Sequence, residues 1–354
     1  MVPNVIRLNN SSPLIAGIPS HPWENRVTFN PACAFISDTR ILRSLVPQLP
    51  FDEETKRKLL SIPALCFLYY RAQGTRTASF DYTRSSIGLA ILSPELRLLA
   101  RHTEPVILPD QDYDDLGVED PRITQMGDTF VMVYTAYGSG TSGNRIRIAL
   151  ATSTDLLHWK KEGLLKGEFN ELDNKNAMLI PGRINGKLML LHRPMEGIDP
   201  MAIHWAEGED LYTPWKSKGA LLKSKPNPAF VDTWIGGGAP PLPFRGEQYL
   251  MLYHIGNRKK DGAREYDLGI ALLDPRRGDP VLRRDEPLLR PTSAAETTGD
   301  ADLGVNNVVF VCGAYLYRGD LYFPYAGADS VVLGGKIERA ELEQWAAGKE
   351  INHR

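Results

Sequence analysis

The chain has 354 residues, 42% apolar and 9% aromatic, with a formal net charge of -2 and both signs interspersed. That composition suits a packed globular core and argues against a nucleic-acid footprint or a polybasic membrane patch, although a basic pocket can sit inside a neutral total. The three cysteines, Cys33, Cys66 and Cys312, have neither CxxC nor Cys/His spacing. A disulfide framework and a zinc site are therefore not expected, and buried free thiols are.

Residues 1–28 are rich in Asn, Ser and Pro and read as an extended N-terminal arm. They contain no continuous apolar run of the kind that marks a signal peptide or a membrane span, so a cytoplasmic protein is expected. Phe29 to Phe35 then begin a first sheet. Residues 51–62 have the pattern of a short amphipathic helix inserted between two strands, with Asp52 placed to cap it. From here the chain repeats itself. Alternating apolar runs that end in an aromatic and a small or polar cluster occur at 66–72, 130–136, 188–193, 249–254 and 321–327, with partner runs at 86–90, 146–151 and 268–273. A last helix is expected over 339–348.

A fixed period of roughly 60 residues in all-β units points to a propeller or another closed array, because one small sheet cannot bury both its faces. The expectation is an all-β, five-bladed β-propeller, with a short inserted helix and a C-terminal helix, occupying residues 1–354 as one domain. Such a ring gathers polar groups from every blade at one axial pocket.

Four sets of residues carry candidate chemistry. Gly117-Val118-Glu119-Asp120-Pro121-Arg122 stands at a blade entrance. Strand alternation would put Glu119 and Asp120 on opposite faces, one toward the axis and the other paired with Arg122. The structural alternative is a turn with an ion pair. A basic set, Arg71, Arg145, Arg147, Lys175, His192, Arg193 and His254, recurs at comparable strand ends and could converge on an anion such as phosphate. Taken singly, each is better explained as a surface cation. Tyr70, Tyr137, Tyr253 and Tyr325 also recur there, suited either to sugar faces or, more commonly, to blade packing. The fourth set is negative: no Walker-type loop, GxSxG elbow or HExxH motif is present, which turns the reading away from nucleophilic serine and zinc hydrolase chemistry.

These motifs, in order, resemble glycoside hydrolase family 130. The resemblance is carried by the Glu119-Asp120-Pro121-Arg122 string, Tyr134-Thr135-Ala136-Tyr137, Lys175-Asn176-Ala177, His192-Arg193-Pro194, Ile235 through Pro241, Asn307-Val308-Val309-Phe310 and Tyr325 through Asp329. It spans about Asn30 to Leu333 and implies a five-bladed propeller acting on β-mannosides. Many members are inverting phosphorylases releasing α-mannose 1-phosphate; others are β-1,2-mannosidases. The resemblance makes Asp120 the general acid and places Asn30, Arg71 and Asp329 in the sugar pocket. It puts Arg147, Lys175 and His254 on the phosphate side. Glu119 and Tyr137 complete the candidate sugar-binding set. No metal or organic cofactor is implied, only phosphate as co-substrate.

Phosphate is already an anionic nucleophile and needs cations to position it, whereas a hydrolase needs a second carboxylate, roughly 6.5–9.5 Å from the acid, to activate water. Glu265 and Glu196 are candidates for that base. Phosphorolysis is the favoured expectation, with an inverting β-mannosidase and a non-catalytic sugar-binding propeller as alternatives. The expected partners are a β-mannoside oligosaccharide and inorganic phosphate, without nucleic acid or membrane; a homo-oligomer is compatible with the sequence. The Gly/Ser-rich segment 138–144, the segment 200–205 and the insertion 45–63 depart from the family pattern and leave acceptor-side specificity open.

Overall fold

The computed structural model describes residues 2–140, 143–196 and 201–348. Thr141 and Ser142 of the Gly/Ser-rich segment, and Pro200, fall outside them.

Five antiparallel sheets form the five blades of a propeller. Blade 1 runs from its inner strand Val27–Ile36 through Leu65–Gln73 and Ser86–Leu92 to Leu98–Arg101. Blade 2 comprises Gly117–Met126, Thr129–Gly138, Arg145–Ser153 and Lys160–Leu164. Blade 3 comprises Asn174–Leu179, Leu188–Pro194, Ile203–Gly208 and Lys216–Leu222. Blade 4 is built on Asp232–Gly237, Gln248–Arg258, Arg264–Asp274 and Asp279–Arg283. Blade 5 runs outward from Val309–Val311 through Asp320–Gly327 and Val331–Ile337. The apolar runs that repeat most clearly are thus the second strands, one layer back from the axis.

The N-terminal segment closes the ring. Ile6–Arg7 pairs with Val331–Ile337 as the outermost strand of blade 5, so the first and last parts of the chain share one sheet. The expected arm is therefore partly strand, and its last residues, Val27 and Thr28, already belong to blade 1. The insertion holds two helices, Thr39–Leu45 and Glu53–Leu60, rather than one. Asp52 caps the second by accepting from the Thr55 N–H at 2.7 Å. Leu42, Leu45 and Leu59 are buried against Ile36 and Phe67, each contributing about 1.5–3 kcal/mol of apolar burial. The insertion is part of the core, not an appendage. The last helix, Arg339–Ala347, buries Leu342 and Trp345 against blades 4 and 5.

Three inner strands share a local defect. Register against the second strand slips between Phe29 and Ala32 in blade 1, Glu119 and Arg122 in blade 2, and Lys175 and Met178 in blade 3. Each slip carries one left-handed residue: Asn30 (φ +46°), Asp120 (φ +49°) and Asn176 (φ +55°). Asn and Asp tolerate this conformation better than other non-glycine residues. A β-bulge re-aims one side chain out of the alternating pattern. Here it aims three at the axis.

Candidate active site

At the N-terminal ends of the inner strands lies a cavity of about 190 Å³, lined by residues of all five blades, including Asn30, Arg71, Asp120, Lys175, Arg193 and Asp329. Asp120 is 3% exposed. Its Oδ1 accepts from Asn30 Nδ2 at 2.7 Å and from Arg71 Nη1 at 3.3 Å. Arg71 Nη2 donates to Glu119 Oε1 at 2.7 Å, and its Nε to Ser85 Oγ at 2.7 Å. Both carboxylates of the motif therefore meet one guanidinium. This corrects the expectation that alternation would separate them: the bulge at Asp120 breaks the alternation.

Arg122 pairs with neither carboxylate. It is 1% exposed and donates to the carbonyls of Gly238 (2.7 Å), Gly237 (2.8 Å) and Asp120 (3.0 Å). It thus ties the bulge of blade 2 to the inner strand of blade 4 across the axis. The glycine run there is required by close packing. A Cβ on Gly236 would lie 2.7 Å from Asn176 Oδ1 and 2.9 Å from Arg193 Nη1, both cavity groups.

Three cations in the cavity, Lys175, Arg193 and Arg264, have no hydrogen bond or carboxylate partner among the described residues. Arg193 is 5% exposed, with its Nε unpartnered, and burial pulls its guanidinium down to about 10. Burial also lowers Lys175, against the pull of Glu119 and Asp120. Asn30 Oδ1, both side-chain polar atoms of Asn176 and Asp329 Oδ1 are likewise buried without a partner. Leaving such groups unpaired costs about 1–3 kcal/mol each, so the cavity is built for a polar ligand.

The two cavity aspartates differ. Burial raises the Asp120 carboxyl, but Arg71, Lys175 and Arg122, with the Asn30 hydrogen bond, outweigh it and hold the group below the usual range. Asp329, at φ +47°, makes no ion pair among the described residues; burial pushes it up to about 7, with Arg71 opposing and Asp120 assisting. Environments that push two carboxyls apart in this way are a mark of acid–base sites.

Several expected groups stand elsewhere. His254 lies behind the cavity wall, stacked on Phe310 at 3.5 Å, with Nε2 2.8 Å from the Val311 carbonyl oxygen. Burial holds its ring well below the ordinary value, so it is neutral and supplies no charge to an anion. Arg147 is on the third strand of blade 2 and does not line the cavity. Tyr137 does not line it either; its hydroxyl accepts from Asn144 Nδ2 at 3.1 Å. Arg145 pairs with Asp173 at 2.9 Å, and His192 sits beside Asn174. Tyr70, Tyr253 and Tyr325 are buried in blade packing, bonded to Glu24, Arg283 and Glu296. Glu265 pairs with Lys259, and Glu196 accepts from the Asp173 N–H. Asn176, Arg264, Tyr266 and Phe310 are cavity residues that sequence reasoning did not assign, and Arg193 was only one of a larger basic set.

A family model described as beta-1,4-mannooligosaccharide phosphorylase matches residues 18–347. The chain belongs to glycoside hydrolase family 130. Among family 130 relatives, a 1,2-beta-oligomannan phosphorylase of Thermoanaerobacter sp. (strain X514) is 32% identical over 79% of this chain and 88% of that protein. A beta-1,2-mannobiose phosphorylase of the same organism is 30% identical over 95% of this chain and 97% of its own length. The solved beta-1,2-mannobiose phosphorylase from Listeria innocua, in complex with beta-1,2-mannobiose, superposes with a TM-score of 0.73 at 22% identity, covering 97% of this chain and 99% of that one. That likeness confirms the five-bladed fold. No helix among the described residues is long and apolar enough to cross a membrane.

Proposed function

We propose that the protein is an inverting β-mannoside phosphorylase. The observation that carries this is the pair Lys175 and Arg193, two cations without carboxylate partners among the described residues, sharing one small cavity with Asp120, with the exposed Arg264 also in its lining. Cations held ready in a desolvated site position an anionic nucleophile without a base. A hydrolase on the same scaffold would need a second carboxylate aimed at water; Glu265 and Glu196 are bonded elsewhere, so that reading would have to rest on Asp329. The relatives named as phosphorylases support the same reading, and the β-1,2 linkage in their names makes β-1,2-mannobiose the first substrate to test.

In this reading Asn30, Arg71 and Asp329 hold the mannose unit, Glu119 fixes Arg71, and Lys175 and Arg193 hold phosphate. Asp120 gives its proton to the leaving oxygen as the bond from C1 to that oxygen breaks and a phosphate oxygen bonds C1 from the opposite face. The new sugar phosphate then releases the proton of the attacking hydrogen phosphate, which restores Asp120. The depressed Asp120 carboxyl becomes a usable acid when phosphate arrives. A dianion against Lys175 and Arg193 cancels the positive field that holds the proton off.

Mannose release from β-1,2-mannobiose should depend on added phosphate. Lys175→Met and Arg193→Met should each raise the KM for phosphate about 10–100-fold, the loss of one charge-assisted hydrogen bond of about 1.5–3 kcal/mol. Equal release with and without phosphate would refute the assignment.

A second expectation concerns pH. Asp329 is neutral below about 7 and charged above it. Ionised, it would add a third negative charge beside Glu119 and Asp120 and oppose phosphate, so kcat/KM for phosphate should fall as pH rises through that value. Phosphate titrates in the same range, so the measurement is the difference between wild type and Asp329→Asn, which stays neutral throughout. Superimposable profiles would remove Asp329 from the alkaline limb.

A further inference from the structure

The hairpin Gln248–Arg258 and Arg264–Asp274 overhangs the axis and acts as a wall. On one side Arg264 and Tyr266 line the axial cavity. On the other, the next residue, Asp267, lines a second cavity of about 280 Å³. Its walls include Thr233, Ile235, Ile255, Asn257, Asp267 and Arg290. Thr233 is the second residue of the inner strand of blade 4, as Lys175 is of that of blade 3, so both cavities lie toward the same end of the ring.

Asp267 is 6% exposed, yet its carboxylate has no hydrogen bond or ion pair among the described residues. The Arg290 guanidinium is also without one, although the Arg290 carbonyl accepts from Arg7. Asn257 is 1% exposed; its Oδ1 is used by Thr233 Oγ at 3.1 Å, which leaves its Nδ2 as a donor into the cavity. Lys225 and Asp285 pair with each other and offset their own charges, so a cation is disfavoured by Arg283 and Arg290 and an anion by Asp267. Burial raises Asp267 to about 6, with Arg290 opposing. The group that satisfies an acceptor, an amide donor and a guanidinium together is a neutral polyol, with Ile255 facing its C–H surface.

We infer that this second cavity is a remote hexose subsite, taking a further mannose unit of a longer β-mannan chain that passes over Tyr266. The choice of mannose rests on the proposed function; the choice of a neutral sugar does not.

The test is calorimetric binding of β-1,2-mannobiose and β-1,2-mannotetraose to the wild type, Asp267→Ala and Arg290→Met. Arg290 is exposed, so its variant keeps the test alive if Asp267→Ala fails to fold. Both variants should weaken mannotetraose about tenfold and leave mannobiose unchanged. Equal effects on the two sugars, no effect on either, or weakened binding of inorganic phosphate with mannotetraose unaffected would overturn the subsite. If the binding difference holds while mannobiose is not cleaved in phosphate, the subsite stands and the phosphorylase reading falls.

Discussion

Asp120→Asn should reduce kcat on phosphorolysis by about 100- to 10,000-fold, the range of a lost general acid, while far-UV circular dichroism stays unchanged. Asparagine fills the same volume and still accepts from Asn30 and Arg71, so the bulge and its hydrogen bonds persist. Arg71 remains neutralised by Glu119 at 2.7 Å, so no bare cation is left at that position. What is lost is a transferable proton beside the leaving oxygen. An activated mannoside, whose leaving group needs little protonation, should recover much of the rate in the variant. Unaltered turnover of mannobiose, or no recovery with the activated substrate, would take Asp120 out of the acid role.

Arg122→Met should be the most destabilising single change at the site. It strips the donor from three carbonyl oxygens, of Gly237, Gly238 and Asp120, in a place water does not reach. At about 1–3 kcal/mol per buried unpaired group, and with some relief from removing a buried cation, the net loss is on the order of 3 kcal/mol. For a chain of this size that corresponds to a fall in Tm of about 4 °C. Activity of the folded fraction should also fall, in kcat more than in KM, because Arg122 holds the peptide that aims Asp120. Arg122→Lys keeps the charge but cannot span two carbonyls with a planar fork, so it should rescue Tm in part and kcat little. A variant that loses stability but keeps kcat would make Arg122 a fold residue and nothing more.

The ring itself was legible because every blade repeats an apolar second strand. The same fact misplaced several site residues. Those strands stand one layer behind the axis, and only their long side chains, Arg71 and Arg193, reach past the inner strand to the cavity. His254 is instead stacked on Phe310, His192 sits beside Asn174, and the Tyr137 hydroxyl is bonded to Asn144. Glu119 and Asp120 were assigned to opposite faces by alternation, yet the bulge that defeats alternation leaves a sequence mark. Asn30-Pro31 and Asp120-Pro121 each put a proline, which cannot donate to a ladder, inside an inner strand. Read together with Asn176, they spell the three left-handed positions. Arg264 and Tyr266 leave no such mark. Their spacing of two fixes a common face, but which face overhangs the axis is decided by how far the blade 4 hairpin extends in the folded ring.

The central claim is that Asp120 and the unpaired cations address opposite faces of one mannose unit. It is tested most directly by recording the first product formed from β-1,2-mannobiose and phosphate, using ³¹P and ¹H NMR before any anomeric exchange. The account predicts α-mannose 1-phosphate, one equivalent for each bond broken. A β-linked phosphate, or free mannose with phosphate unconsumed, would contradict it.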